Sequence, residues 1–545
     1  MSATRDFFFS QSCATVDYVV PVVLSGLLAY TIYQVYLHPL RQYPGPFVAK
    51  FTDGYNGIQS FHGRLHLKSW ENQRTYGNVV RQGPNKLVFH SIQAVQDIYK
   101  NGRTTKPVAY MALGPDLTIH TTLTARDRQV HRSRQQLVGQ VLSASFMRSF
   151  EATMLEQVDL FIDHLRISAK ESVLVNMTQR AQHLAFNVAT LLAFGFDLEL
   201  HTSEENQEMP ALLEKAVFWS NVFLQWPGIR KFKFMLSIFQ KARQTKGKYV
   251  ALIKKMIVSR MRQGENGPQD LYSVFAKAPK ANTADIRQGE LWAEANTFLP
   301  GGKLQLSCSI SVVMKCFLAN KLSLAGDTTK TALTAVFFYL SRNPACYRKL
   351  AEEIRSTFKT GDDINGQATA GCHYLRACID EAMRLSPPAP GVLWREHLPA
   401  DGNQPFIVDG HVIPRGTIVG VNVYSIHHNE EYFPDPFGYH PERWLDESLA
   451  PEQKKLMRQA FIPFAIGQRG CPGKAMAYLE ISLAVAKALW NFDFCQAAGR
   501  VGEIGAGNSE MGPGRERPEE FQLFDHFTAS HDGPYLEFRQ RGDCF

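Results

Sequence analysis

Residues 464–473 read Phe464-Ala465-Ile466-Gly467-Gln468-Arg469-Gly470-Cys471-Pro472-Gly473, and the apolar helical pattern KAMAYLEISLAVAKAL follows directly. A cysteine in a glycine-punctuated loop, just ahead of a helix start and two residues after an arginine, sits where exposed N–H groups and positive charge stabilise a thiolate. Gly467, Gly470 and Gly473 permit a tight backbone path and the close approach of a flat cofactor. Arg469 is placed to pair with an anionic group of that cofactor, and Phe464 to cover the sulfur. A thiolate held in this way is a soft metal ligand. Zinc and iron–sulfur sites need further cysteines nearby, so haem iron with one axial thiolate fits, against the plainer reading of a buried free cysteine in a turn.

The same ten residues match F-x-x-G-x-R-x-C-x-G at all five fixed positions, and the segment resembles the haem-binding loop of the cytochrome P450 (haem-thiolate) monooxygenases. Five specified residues coincide by chance on the order of once in several thousand chains of this length. Upstream, Glu381 and Arg384 are three apart in a helical stretch, ACIDEAMRLSP, and share one face. Alone that is an ordinary surface pair. The resemblance brings Arg443, in PERW after FPDPFGYH, onto it, which implies a structural triad of Glu381, Arg384 and Arg443 behind the haem. It also implies that Arg395 in VLWRE contacts a haem propionate, where the plainer reading is a surface arginine. Asp327-Thr328-Thr329 looks like the end of the family's oxygen-activation signature, with Asp327 and Thr328 as a proton relay over the open iron face. By position alone a helix N-cap would explain it equally well.

Two stretches depart from the family pattern. In the basic helix 127–136 (DRQVHRSRQQ), His131 takes the expected aromatic position and Gln135 that of the expected arginine, so one propionate contact is weakened or Arg134 substitutes. That basic face either receives an acidic reductase or is merely solvated. The larger departure is Gly301–Leu324, which splits ELWAEANTFL at 290–299, similar to the start of the family's long central helix, from AGDTT. Lys315 in its middle argues against a second membrane span. Gly302-Lys303 can be encoded by GGTAAG and Ala325-Gly326 by GCAGGT, compatible with splice donor and acceptor, so 303–326 reads as a translated intron whose removal keeps frame. The competing reading is a genuine loop interrupting the helix over the haem.

At the other end, Tyr18 to Tyr33 carries no charge and the apolar character runs on through Leu37. About 20 residues at a rise of about 1.5 Å span a bilayer, so 18–37 is expected to be a transmembrane anchor, with 1–17 lumenal. A signal sequence is the rival, weakened by Asp17 and by the lack of a small-x-small cleavage site. Arg41 and Lys50 after the span favour a cytosolic body. Residues 38–50, with Tyr43-Pro44-Gly45-Pro46, form a stiff elbow, and 51–545 read as one catalytic domain.

The composition fits that organisation. The 545 residues are 45% hydrophobic and 20% charged, with 59 Lys and Arg against 51 Asp and Glu for a net charge of +8, which excludes disordered and collagen-like classes and disfavours nucleic acid. The 9 cysteines are odd in number and contain no C-x-x-C pair, which suits a reducing compartment. Helical spacing marks 150–165, 182–194, 210–225 and 330–340. A hairpin is expected in 76–89 around Gly83-Pro84-Asn85, and a second strand-rich patch in 405–423 with a turn at Asp409-Gly410. The expected fold is mainly α with a minor β region, the haem-thiolate monooxygenase architecture behind one anchor helix.

The resemblance, which looks like fungal microsomal members, implies haem b as cofactor and insertion of one oxygen atom of dioxygen into an apolar small molecule. It implies electrons from NADPH through a membrane-bound diflavin reductase, an endoplasmic reticulum location with a cytosolic catalytic domain, and secondary metabolism as the setting. Alternatives from other classes are an isomerase or dehydratase needing no external electrons, and a non-catalytic relative inactivated by the insertion. Substrate-facing text is expected near 110–123, 218–226 and 391–393.

Overall fold

The computed structural model describes residues 20–113, 121–203, 206–231, 310–397 and 404–542, with scattered positions between 240 and 273. Its first element is a helix, α1 (Val20–Leu37), only 6% buried and apolar enough by length and composition to cross a membrane. The chain then turns through the elbow, which is clamped to the body. The fully buried Arg81 donates to Gln34 Oε1 at 2.6 Å and to the Gln34 carbonyl at 3.1 Å. Its own N–H donates to the Pro44 carbonyl at 2.7 Å. Gly45 has to be glycine here, because a Cβ would stand 2.2 Å from the Arg81 carbonyl oxygen.

Arg81 lies in β1 (Val79–Gly83), which pairs antiparallel with β2 (Lys86–Phe89) as the expected hairpin. Further strands complete a five-stranded sheet of order β1-β2-β8-β5-β3: β3 (Thr104–Thr105), β5 (Arg395–His397) and β8 (Ile418–Val421). β4 (Val175–Asn176) belongs to a second sheet, and the 405–423 patch contributes, besides β8, a hairpin of β6 (Phe406–Val408) and β7 (His411–Ile413) turning at Asp409-Gly410. Leu87, Phe89, Val419 and Val421 bury one apolar layer beneath the five-stranded sheet.

Helices make the larger body. α2 (Arg128–Val141) starts where the Asp127 carboxylate accepts from the Val130 N–H at 2.9 Å, and α3 (Ala144–Glu171) where Ser143 accepts from Phe146. α4 (Met177–Phe194) ends on Gly195 in the left-handed region, at φ 56°. α5 (Glu208–Gln225) matches the expected 210–225. α6 (Ile310–Arg342) is followed by α7 (Pro344–Thr357), α8 (His373–Leu385) and α9 (Lys474–Asn491). The closing strands are β9 (Phe492–Gln496), β10 (Phe524–His526), β11 (Thr528–Ser530) and β12 (Tyr535–Gln540). β12 lies between β4 and β9, while β10 and β11 form their own hairpin.

α6 is the axis of the helical core. Leu333, Val336 and Phe337 are fully buried, each contributing about 1.5–3 kcal/mol by leaving water. α4 packs against it so closely that a Cβ on Gly326 would reach the Phe186 ring at 2.9 Å. Within the departure at 301–324, residues 310–324 are helical and continue the helix that carries Asp327, without a break to Arg342. Residues 290–309 lie outside the described residues, as do 1–19.

Candidate active site

The cysteine loop runs between the short helical turn Gly467–Arg469 and the head of α9. The Cys471 N–H donates to the Phe464 carbonyl at 2.8 Å, and that of Gly470 to Gly467 at 3.0 Å. Gly467 carries the conformational demand, with φ 73° and a would-be Cβ 2.0 Å from the Tyr99 carbonyl oxygen. At Gly473 a Cβ would meet Cys471 Sγ at an ordinary 3.8 Å, so that glycine is not required by backbone strain. Among the free cysteines of the described residues, only Cys471 is exposed.

Its exposure is to a cavity of about 300 Å³. Cys471, Phe464, Gly473 and Arg469 line one side, Thr328 and Thr329 of α6 another, and His131 of α2 a third. Between them the wall is apolar, with Ala189, Leu192, Ala332 and Met383 among its residues. Phe464 packs on Tyr478 with ring centroids 5.2 Å apart. Of the expected substrate-facing text, Thr121 to Leu123 and Leu393 reach this wall, and 114–120 lie outside the described residues.

Positive charge gathers at one edge. The Arg469 guanidinium donates to the carbonyls of Ala125 (2.6 Å) and Arg126 (3.0 Å) and to Thr105 Oγ1 (3.1 Å). Burial, with Arg395 and then Arg128 nearby, pulls its pKa down to about 10. Arg395 is 4% exposed on β5, donates to the Trp394 carbonyl at 2.8 Å and stands behind the wall without lining it. Lys106, at the end of β3, does line it. That residue was not legible in the sequence, because Thr-Lys-Pro after a two-residue strand is no motif. Arg134 is buried and Gln135 half-buried, and neither borders the cavity. An apolar cavity with a thiol on one wall and converging cations at its edge fits a flat, largely apolar group bearing carboxylates, as haem b is.

Off the cavity wall the structure brings Glu381, Arg384 and Arg443 together. Glu381 is fully buried and accepts from Arg384 twice at 2.9 Å, from Arg443 Nε at 3.0 Å, from Trp444 Nε1 at 3.0 Å and from the His440 N–H at 3.0 Å. Burial alone would raise its pKa, but the two guanidinia outweigh that and hold it below the ordinary carboxylate range. Arg384 spends its other donors on the carbonyls of His427, Pro436 and Gly438.

Asp327 and Thr328 part company. Thr328 lines the cavity, whereas Asp327 is 1% exposed and lies off the wall. Its carboxylate is turned toward Lys330 and Thr528. A residue expected over the open face is therefore buried beside it.

A helical core crossed by one long helix, a minor sheet, and a lone cysteine facing an apolar cavity from the head of a helix define a haem-thiolate type of enzyme. Comparison with known proteins agrees. The family described as Cytochrome P450 matches residues 44–502. The chain is 31% identical to "Cytochrome P450 monooxygenase apf7" of Gibberella fujikuroi over 97% of this chain and 99% of the relative, and 30% identical to "Cytochrome P450 monooxygenase AKT7" of Alternaria alternata over 96% and 98%. It is 31% identical to "Cytochrome P450 monooxygenase atnE" of Emericella nidulans over 95% and 96%. The chain belongs to the cytochrome P450 family, and it is a haem-dependent monooxygenase.

Proposed function

We propose that this enzyme inserts one oxygen atom of dioxygen into an apolar small molecule, with Cys471 as the thiolate that would hold the iron of haem b. The observation that carries the reading is Cys471, exposed to the cavity with Thr328 on another wall and Arg469 at the edge. When bound, haem supplies an iron that activates dioxygen, with the thiolate pushing electron density to favour O–O cleavage.

The chain's own residues do the rest. Arg469 and His131 hold the propionates, with Lys106 beside them and Arg395, behind the wall, adding positive charge. Phe464 shields the sulfur, and Gly473 keeps the turn beneath it slim. Thr328 presents a hydroxyl to the cavity and Asp327 holds a proton one residue away, so that together they deliver it to the reacting face. The apolar wall excludes water and selects substrates that partition into lipid. Glu381, Arg384 and Arg443 fix the geometry behind the site.

The electrons come from NADPH through a diflavin reductase, to which the basic α2 face offers charge complementary to an acidic partner. α1 anchors the chain as a single pass in the endoplasmic reticulum membrane, with the catalytic domain cytosolic and the elbow clamped through Arg81. Secondary metabolism is the setting of this reading, which the fungal origin of the relatives supports.

The test is the carbon monoxide difference spectrum of the reduced full-length protein, beside Cys471→Ala. A red-shifted thiolate-type Soret band in the wild type that is lost in the variant is expected. No such band in the wild type would refute Cys471 ligation, and NADPH-independent turnover would favour an isomerase or dehydratase.

A further inference from the structure

Asp327 and Lys330 stand one turn apart on α6, each at 1% exposure. Lys330 Nζ is 3.4 Å from Asp327 Oδ1, and no aligned hydrogen bond reaches that oxygen among the described residues. Oδ2 accepts from Thr528 Oγ1 at 3.4 Å, across from β11. Two residues along the same strand, and so on the same side of it, the Ser530 hydroxyl donates to Glu214 of α5, a half-buried carboxylate. A buried ammonium from its own helix thus stands beside Asp327, and Glu214 of α5 bonds to the same side of β11 as Asp327 does.

The other titratable groups around the pair are neutral or engaged elsewhere. His526 of β10 and His531 after β11 both feel Lys330, and burial with that charge keeps their pKa values below the ordinary histidine range. From α4 the neighbour is Phe186, against Gly326. On α8 Glu381 is held by Arg384, and on α9 the shift of Glu480 comes from burial alone.

We infer that Lys330 is a positioning residue for proton delivery: its ammonium keeps Asp327 able to ionise inside the protein, and Glu214 opposes it, so that the two together set the pH at which Asp327 exchanges its proton. The inference rests on the reading of Asp327 and Thr328 as the proton relay. A relay needs both protonation states within reach, and a carboxyl buried this deeply without a counter-cation stays protonated. Asp327 gives its proton up toward the cavity that Thr328 lines. Asp327 is then a carboxylate beside Lys330 until solvent returns a proton. The direction of the electrostatics agrees: burial raises the Asp327 pKa, Lys330 lowers it, Glu214 raises it again, and it comes to about 6.

The experiment follows the carboxyl stretching band of Asp327 by infrared titration of the haem-loaded, full-length enzyme, with Asp327→Asn identifying the band. Lys330→Met is expected to move the midpoint up by roughly one to three pH units, Lys330→Arg to restore it, and Glu214→Gln to move it down. Because Lys330→Met strands a buried carboxylate and can fail to fold, Glu214→Gln, at a half-buried position, tests the same balance independently. A midpoint unmoved by Glu214→Gln, or a Lys330→Arg protein that titrates like Lys330→Met, would overturn the inference. Carbon monoxide spectra of the same samples separate the two readings. An intact thiolate-type band with unmoved midpoints sinks only the role of Lys330, whereas its absence from the wild type sinks the haem-thiolate site itself.

Discussion

Arg384 grips Glu381 with two hydrogen bonds of 2.9 Å, one to each carboxylate oxygen, and neither side chain has any exposure to water. Both charges lost their hydration on folding, so the pair is stable only because every remaining donor and acceptor is met within the chain. Removing Glu381 strands the Arg384 guanidinium, and removing Arg384 leaves the buried Glu381 with Arg443 alone. Glu381→Ala and Arg384→Ala are each expected to cost about 3–5 kcal/mol, seen as a lower urea midpoint and as loss of haem during purification. Retention of wild-type stability by both variants would mean that the network is not what fixes this region.

The turn at Gly467 makes a separate demand. With φ 73° and a Cβ position 2.0 Å from the Tyr99 carbonyl oxygen, alanine meets both strain and collision. Gly467→Ala is expected to destabilise by about 1–3 kcal/mol or more, with a lowered melting temperature, while Gly473→Ala, whose Cβ meets Sγ at 3.8 Å, is expected to be milder.

At the cavity edge, Arg469 is the cation best placed for an anionic group. Arg469→Leu is expected to speed haem transfer to an acceptor globin by roughly tenfold to a hundredfold, the scale of one lost hydrogen bond to a charged group. Gln135→Leu, away from the cavity wall, is expected to leave it near the wild-type rate.

Two of the buried histidines give acid stability a direct test. His201 packs between His164 and His183, with ring centroids 5.3 and 5.5 Å away. Burial, then neighbouring positive charge, lowers the pKa of His183 to about 4 and of His201 to about 3. The unfolded chain therefore binds protons below about pH 6.5 that the folded chain refuses, and stability is lost as pH falls from there toward 4. Each histidine contributes a slope of at most about 1.4 kcal/mol per pH unit. Glu480, raised by burial to about 8, works in the opposite direction, so the measurement is a difference. Urea midpoints compared at pH 7 and pH 5 should fall less in His183→Leu/His201→Leu than in the wild type, and equal falls would contradict the assignment.

Spliced transcripts are expected to lack the codons for 303–326. In the shortened chain, residues up to Gly302 would have to supply the turns of helix ahead of Asp327 that 310–326 now provide. Transcripts that consistently contain those codons would show that the long form of α6 is the native one.

Much of this protein could be read along the chain, because the decisive signals are local. The loop 464–473 owes its meaning to a cysteine, an arginine and glycines within ten positions, and the hairpin at 79–89 and helices α3, α4 and α5 follow from periodicity within their own lengths. Glu381 and Arg384 are neighbours on one helical turn. What the sequence could not decide is which side chains face the cavity, since that depends on how distant elements pack. Lys106 reaches the wall because β3 pairs with β5, nearly three hundred residues later in the chain. Asp327 and Thr328 are adjacent in sequence yet face different surroundings, because successive residues on a helix point about 100° apart and only the packing of elements such as β11 against α6 decides which one is buried. Lys330 acquires its partner in the same way: spacing of three puts it beside Asp327, but burial, which makes that pair matter, belongs to the tertiary structure alone.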